Sequence, residues 1–305
     1  MTMDKRNSSV KVSGKSGLEL RGKYLSLACT LVLLAVVASI ICMVTLKGLA
    51  TFTVNHINPF EFFFGTDWSP GSNGPDGRPL VGAFPMIFGS FVTTVFSTIL
   101  AAPLAIGTAI FIVELSPGLG RKVVQPAIQL LVGVPSVVYG LLGLTLIVPF
   151  LRTHSGGTGF GVLAASLVLT VMVLPTISSI STDAIAAVSD SRREAALALG
   201  ATRWQMIRHV VLRDAASGIL TAVVLGMTRA FGEALAVQMV IGNTTLIPRS
   251  LTTAASTLTS ILTMGMGNTI PGQLENNVLW TLALVLLAMS LLFIVLIHRI
   301  GGREA

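Results

Sequence analysis

Long apolar runs separated by short polar stretches dominate the chain, recurring at roughly 24–48, 84–113, 124–151, 160–182, 214–241 and 277–298. Each exceeds the about 18 to 20 residues that a helix needs to cross a bilayer. In hydrocarbon a backbone must satisfy its own polar groups, and unbroken runs of this length do so as helices. The pattern therefore predicts an all-α integral membrane protein with six transmembrane helices and both termini on one side. The first run is too long for a signal peptide, and no small-x-small cleavage pattern closes it. The segments are a basic tail at 1–23, a first transmembrane helix at 24–48, an external loop at 49–83 and a core at 84–299. That core carries a cytoplasmic loop at about 183–213, and residues 300–305 form the C-terminal end.

Composition sharpens this picture. The 305 residues are 52% hydrophobic and only 11% charged, where soluble domains carry about 25% charged residues. Mean hydropathy is +0.83. So few charges cannot cover a soluble surface, which excludes soluble enzymes and nucleic-acid binders. The net charge of +7 is explained by where the basic residues fall. With the N-terminus inside, fifteen of the 20 lie in the tail, the cytoplasmic loops and the C-terminal end. Outside loops hold only Arg78, Arg152 and Arg249, with Lys47 at a boundary and Arg229 within a span. This bias places both termini in the cytoplasm, and the charge requires no nucleic-acid partner. Cys29 and Cys42 share the first run about 20 Å apart along one helix, so they cannot pair and are expected as small buried residues.

The spans are uneven. Pro103, Pro135, Pro149 and Pro175 lie in or near them, with Gly133 beside Pro135. Proline removes a backbone donor and disfavours helix at the preceding residue. Such breaks survive in a membrane where protein or a watery cavity satisfies the freed groups, a situation found in transporters and also in inert kinked bundles. The external loop combines Phe60, Phe62, Phe63, Phe64 and Trp68 with a Gly/Pro-rich stretch. It suits an interfacial aromatic belt, and it is large enough to receive a soluble partner.

The cytoplasmic loop contains SRREAALALGATRWQMIRHVVL. Ser191 and Glu194 have the S-x-x-E spacing of a capping box, Ala195 to Leu199 are good helix formers, and Gly200 interrupts the run before a second amphipathic stretch from Arg203 to Val211. Such a pair suits docking into a groove on another protein, or lying on the membrane surface. EAALALGA resembles the EAA loop of binding-protein-dependent ABC importer permeases, the element that couples to the ATPase subunit. The resemblance puts Glu194, Ala195, Ala196 and Gly200 at the motif positions. Family members usually continue to a proline where this chain has Arg213, which bears on how the loop enters the fifth span.

The fifth span contains TRAFGEALAVQ at 228–238. On one continuous helix Arg229 lies near the bilayer centre, where insertion costs about 2.5–3.5 kcal/mol, and Glu233 four residues on shares its face. The pair reads as a structural salt bridge or as part of a substrate pathway. Apolar side chains are cheaper than a buried pair, which favours the pathway. The arginine fork binds phosphate or carboxylate oxygens through two parallel hydrogen bonds, and Glu233 can steady it or accept from a protonated oxyanion. GVPSVVYGLLGL at 133–144, the EAA cassette and RAFGEA at 229–234 together resemble the permeases of Pst-type phosphate importers. The loop NPFEFFFGTDWSP at 58–70 is similar to their C-type subunit.

The resemblance implies the type I ABC importer permease fold and a multi-pass subunit of a bacterial-type inner membrane. Its implied partners are an A-type permease completing a heterodimer, two copies of a cytosolic ATPase using ATP and Mg, and an external phosphate-binding protein delivering inorganic phosphate. The chain itself is then a pore subunit, with no catalytic residue, metal or cofactor. SGKS at 13–16 has Ser9 where a P-loop needs glycine, so ATP chemistry belongs to the partner. His56, His154, His209 and His298 lie in loops or at span ends, which argues against an intramembrane hydrolase. The alternatives are a permease for another oxyanion, or an ion-coupled anion carrier that has no use for a docking loop.

Overall fold

The computed structural model describes residues 15–75, 77–155 and 157–301, with side chains between 21 and 295. The basic residues Lys5, Arg6, Lys11 and Arg303, and the first half of SGKS, lie outside the described residues. Helices are α1 Lys15–Thr53, α2 Pro59–Phe64, α3 Phe84–Leu115, α4 Gln125–Val132, α5 Ser136–Ser155 and α6 Val162–Ala186. They continue with α7 Asp190–Ala198, α8 Arg203–Asp214, α9 Ala216–Phe231, α10 Leu235–Val240, α11 Leu258–Gly265 and α12 Leu274–Gly301. A small antiparallel hairpin, β1 Trp68–Asn73 with β2 Pro79–Val81, lies in the loop between the first two long helices. Among the described residues five helices are long and apolar enough to cross a membrane, and the bent pair α8–α9 makes six if it is counted as one span.

The chain forms two compact units, Met1–Lys47 and Gly48–Ala305. In the first, residues 21–43 are exposed on every face, although they are almost wholly apolar, as suits contact with lipid. Cys29 and Cys42 are therefore exposed rather than buried, because they lie on an apolar helix that presents every face outward, as a lipid-facing span does.

The second unit has three buried clusters. The largest joins Ala101, Ala105, Val168, Leu169, Met172, Ile177, Ala222 and Val240 from α3, α6, α9 and α10. Another gathers Phe62, Met86, Phe231, Leu258 and Leu282. The third seats Ile207 and Val211 of α8 against Ile110 and Ile185. Helices α3 and α6 make the most extensive pairing in the unit. Ser166 Oγ donates to Thr93 O, Thr170 Oγ1 to Ser97 O and Ser178 Oγ to Ala105 O, at 3.2–3.3 Å. The constant offset of 73 residues in these bonds makes the two helices parallel, as spans two and four of an alternating topology must be. Small hydroxyl residues let the backbones approach and supply the cross-helix bonds.

Two predicted spans are discontinuous. The 124–151 run divides at Gly133–Pro135 into α4 and α5, because Pro135 cannot continue a helical ladder. Pro103 and Pro175 stay inside α3 and α6, and Pro149 stays inside α5, following a widened π-turn at Gly143–Ile147. The 214–241 run is not one helix either. It begins at a 69° bend between α8 and α9, breaks after Phe231, and resumes as the short α10.

Candidate functional site

The break after α9 separates the two residues predicted to share a helix face. Arg229 lies near the C-terminal end of α9 and is exposed, while Glu233 sits in the linker between α9 and α10 and is half-buried. Among the described residues no ion pair joins them. Arg229 Nη1 instead donates to Thr176 Oγ1 on α6 at 2.8 Å. Glu233 Oε1 accepts from the Ala236 amide at 3.2 Å, satisfying an early N–H of α10, and its carbonyl accepts from Thr259 Oγ1 on α11 at 2.8 Å. The linker is thus held by tertiary partners that a helix-periodic pattern does not reveal.

The motif at 133–144 frames the same region. Tyr139 is buried, and its hydroxyl donates to Leu131 O at 2.8 Å across the α4–α5 break. That bond satisfies a carbonyl near the end of α4, one of those a helix leaves without an internal partner. A Cβ on Gly140 would stand 2.9 Å from Ala236 Cα, and one on Gly143 would stand 2.4 Å from Val168 Cγ2. Both glycines therefore set how closely α5 approaches α10 and α6.

The segment expected in the cytoplasm is built from α7 and α8. Gly200 ends the first helical run with φ +83°, a left-handed conformation that glycine adopts without a Cβ penalty. The predicted Ser191–Glu194 capping box is absent. The N-cap is Ser189, without a side-chain cap bond, so Ser191 is the second residue of α7 rather than its cap. The capping box belongs to α8, where Gln205 N donates to Thr202 Oγ1 at 3.3 Å and Thr202 N to Gln205 Oε1 at 2.9 Å. Its T-x-x-Q spacing was readable in the sequence.

Motif residues Glu194, Ala195 and Gly200 are exposed, and Ala196 packs against the cluster around Ile185. Leu199 is 90% exposed and Trp204 58%, so this surface carries exposed apolar side chains. Arg213 leaves α8 helical through Asp214, and the 69° bend follows. Asp214 pairs with Arg192, linking α7 to that bend. The hydrogen bond from Arg192 to Asp214, reinforced by the carboxylate charge, holds its guanidinium above the usual arginine pKa.

Glu114 and Arg193, which no sequence pattern singled out, form a buried pair at 3.0 Å where α3 meets α7. Glu114 carried one available signal, an acid at the end of an apolar run. Among the described residues no group of three or more His, Cys, Asp or Glu is placed to hold a metal.

The family model described as binding-protein-dependent transport system inner membrane component matches residues 101–303. A probable ABC transporter permease protein of Bacillus subtilis (strain 168), YqgH, is 52% identical over 287 residues, covering 94% of this chain and 92% of that protein. The phosphate transport system permease protein PstC of Xylella fastidiosa (strain 9a5c) is 33% identical over 266 residues, 80% of each chain. Among solved structures, a chain of the inward-facing MetNI methionine ABC transporter aligns with TM-score 0.54 at 22% identity. It covers 73% of this chain and 94% of that one, a likeness of fold.

Proposed function

The chain belongs to the binding-protein-dependent transport system inner membrane components, with the type I importer permease fold, and on that premise we propose that it forms half of an inorganic phosphate pathway. Family membership makes it a membrane permease subunit whose ATPase and substrate-binding protein are separate chains. The phosphate assignment is supported by the PstC relatives, whereas the Bacillus relative is named only as a permease. The observation that carries it is Arg229. Its guanidinium is exposed and bonded to one neutral hydroxyl, not neutralised by Glu233, so the fork retains donors for an oxyanion. Glu233 favours a protonated anion such as hydrogen phosphate, which donates to a carboxylate, over a fully deprotonated one.

In this proposal an A-type permease completes the pathway in a bacterial inner membrane, with both termini cytoplasmic. One of two ATPase copies binds the segment around Glu194, Ala195, Ala196 and Gly200, the other binds the A-type permease, and their closure on ATP opens the permease pair outward toward the binding protein. The test is phosphate uptake by the reconstituted complex, with sulfate as competitor. ATP-dependent uptake resistant to sulfate is expected, and it falls in Arg229→Gln and Glu233→Gln. Uptake without ATP overturns the motor, full uptake by both variants overturns the pathway, and preferential sulfate uptake reassigns the cargo.

A further inference from the structure

One ionic contact ties the cytoplasmic segment to the membrane helices, and neither partner belongs to the pathway or the motif positions. Arg193 Nε and Nη2 both reach Glu114 Oε1 at 3.0 Å. Nη2 also donates to Ile185 O at 2.9 Å, at the cytoplasmic end of α6. Nη1 donates to Val188 O and, at 3.0 Å, to Asp190 Oδ1. All three guanidinium nitrogens are thus committed. Beyond the Gly200 turn, Arg203 Nη2 donates to the carbonyl of the same Glu114. One arginine from each side of the turn therefore grips the end of α3, and the first also grips the chain leaving α6.

The Glu114 side chain is 7% exposed and that of Arg193 14%. A pair this buried is a poor source of stability relative to apolar residues, but breaking one side leaves an uncompensated charge. Its geometry is directional, and it sits opposite the exposed surface of Glu194, Ala195 and Leu199. One face of the segment is offered outward while the other is locked to the ends of the parallel α3–α6 pair.

We propose that Glu114 and Arg193 are positioning residues that make the coupling segment one rigid body with α3 and α6, so that motion imposed on the segment is delivered to that pair. This rests on the segment being where the ATPase docks. A loosely tethered segment dissipates the stroke by swivelling, because an input shifts an equilibrium only through interactions that differ between its states.

The test uses the complete reconstituted complex, reading phosphate moved per ATP hydrolysed. In Glu114→Gln and Arg193→Gln the ATPase stays bound and hydrolysis continues, while that ratio falls by about fivefold or more, the lower end of ordinary inter-site coupling. Arg193→Lys, which keeps the charge but not the fork, recovers part of it. An unchanged ratio in both Gln variants overturns the proposal. Spin labels at Leu104→Cys on α3 and Ser191→Cys on α7, with Cys29→Ser and Cys42→Ser, give a readout independent of variant folding. With Glu114 and Arg193 intact, their distance stays the same with and without ATP; a shift between those states overturns the rigid link. Leu199→Asp separates the two ideas. ATPase loss in that variant is expected, and retention with full uptake overturns the docking site and this proposal with it.

Discussion

Across the gap between α9 and α6, Thr176 Oγ1 accepts from Arg229 at 2.8 Å, fixing one arm of the guanidinium and leaving the rest of the fork. A hydrogen bond to a charged group contributes about 1.5–3 kcal/mol. Thr176→Val is isosteric, so it should raise the KM for phosphate uptake by about tenfold while the complex assembles as before. Arg229→Lys keeps the charge but loses the planar fork, and should lie between the parent and Arg229→Gln. Both are read from initial uptake rates against phosphate concentration. At Gly200 the constraint is conformational, since φ is +83° and no atom lies within 4 Å of an added Cβ. A left-handed conformation costs ordinary residues about 1–2 kcal/mol, and asparagine tolerates it better. Thermal unfolding of the purified complex should rank Gly200, Gly200→Asn, Gly200→Ala and Gly200→Val in falling stability. Gly200 was legible as an interruption in a helical cassette. Thr176 was not, because nothing in a linear sequence announces a hydroxyl 53 positions away.

At the scale of elements, the parallel α3–α6 pair holds the unit together through small residues and cross-helix hydroxyl bonds. Such bonds contribute about 0.6 kcal/mol on average, reaching about 1.7. Ser178→Ala should therefore cost little in a denaturant titration of the protein in detergent. Ser178→Leu should cost about 1–3 kcal/mol by overpacking, because Ser178 is fully buried against α3. Gly143→Ala belongs to the same class, its Cβ being aimed at Val168 Cγ2. Thr202→Ala removes the cap of α8 and should cost about 1 kcal/mol, seen as faster amide exchange in the first turn of α8. The apolar runs made the spans legible because lipid demands uninterrupted hydrophobicity. They did not reveal the end of α9, because residues 234–241 are almost as apolar as those before them. At the break the Glu233 side chain accepts from the Ala236 amide of α10 and its carbonyl accepts from Thr259 Oγ1. S-x-x-E likewise misplaced the start of α7, since the helix begins two residues earlier and Ser189, not Ser191, is its N-cap.

For the whole molecule, the expected orientation puts the β1–β2 hairpin outside and α7 inside. In the Cys29→Ser, Cys42→Ser background, a membrane-impermeant maleimide added to intact cells should label Ser72→Cys and spare Ser191→Cys until the membrane is opened; the reverse pattern would invert the topology. The parallel bonding of α3 and α6 agrees with any arrangement in which exactly one crossing separates them. The sequence by itself determined that this is a membrane bundle, where its spans lie and which side its charges favour. Each of these follows from transfer free energies that act residue by residue and add along the chain. It also displayed the helix–glycine–helix cassette and the lone arginine of the fifth span. Only the tertiary structure decided that Arg229 and Glu233 part company, that the fifth span breaks, and that Arg193 spends its charge on Glu114. Those outcomes depend on which groups distant in sequence are brought within hydrogen-bonding distance, and a linear pattern does not encode that distance.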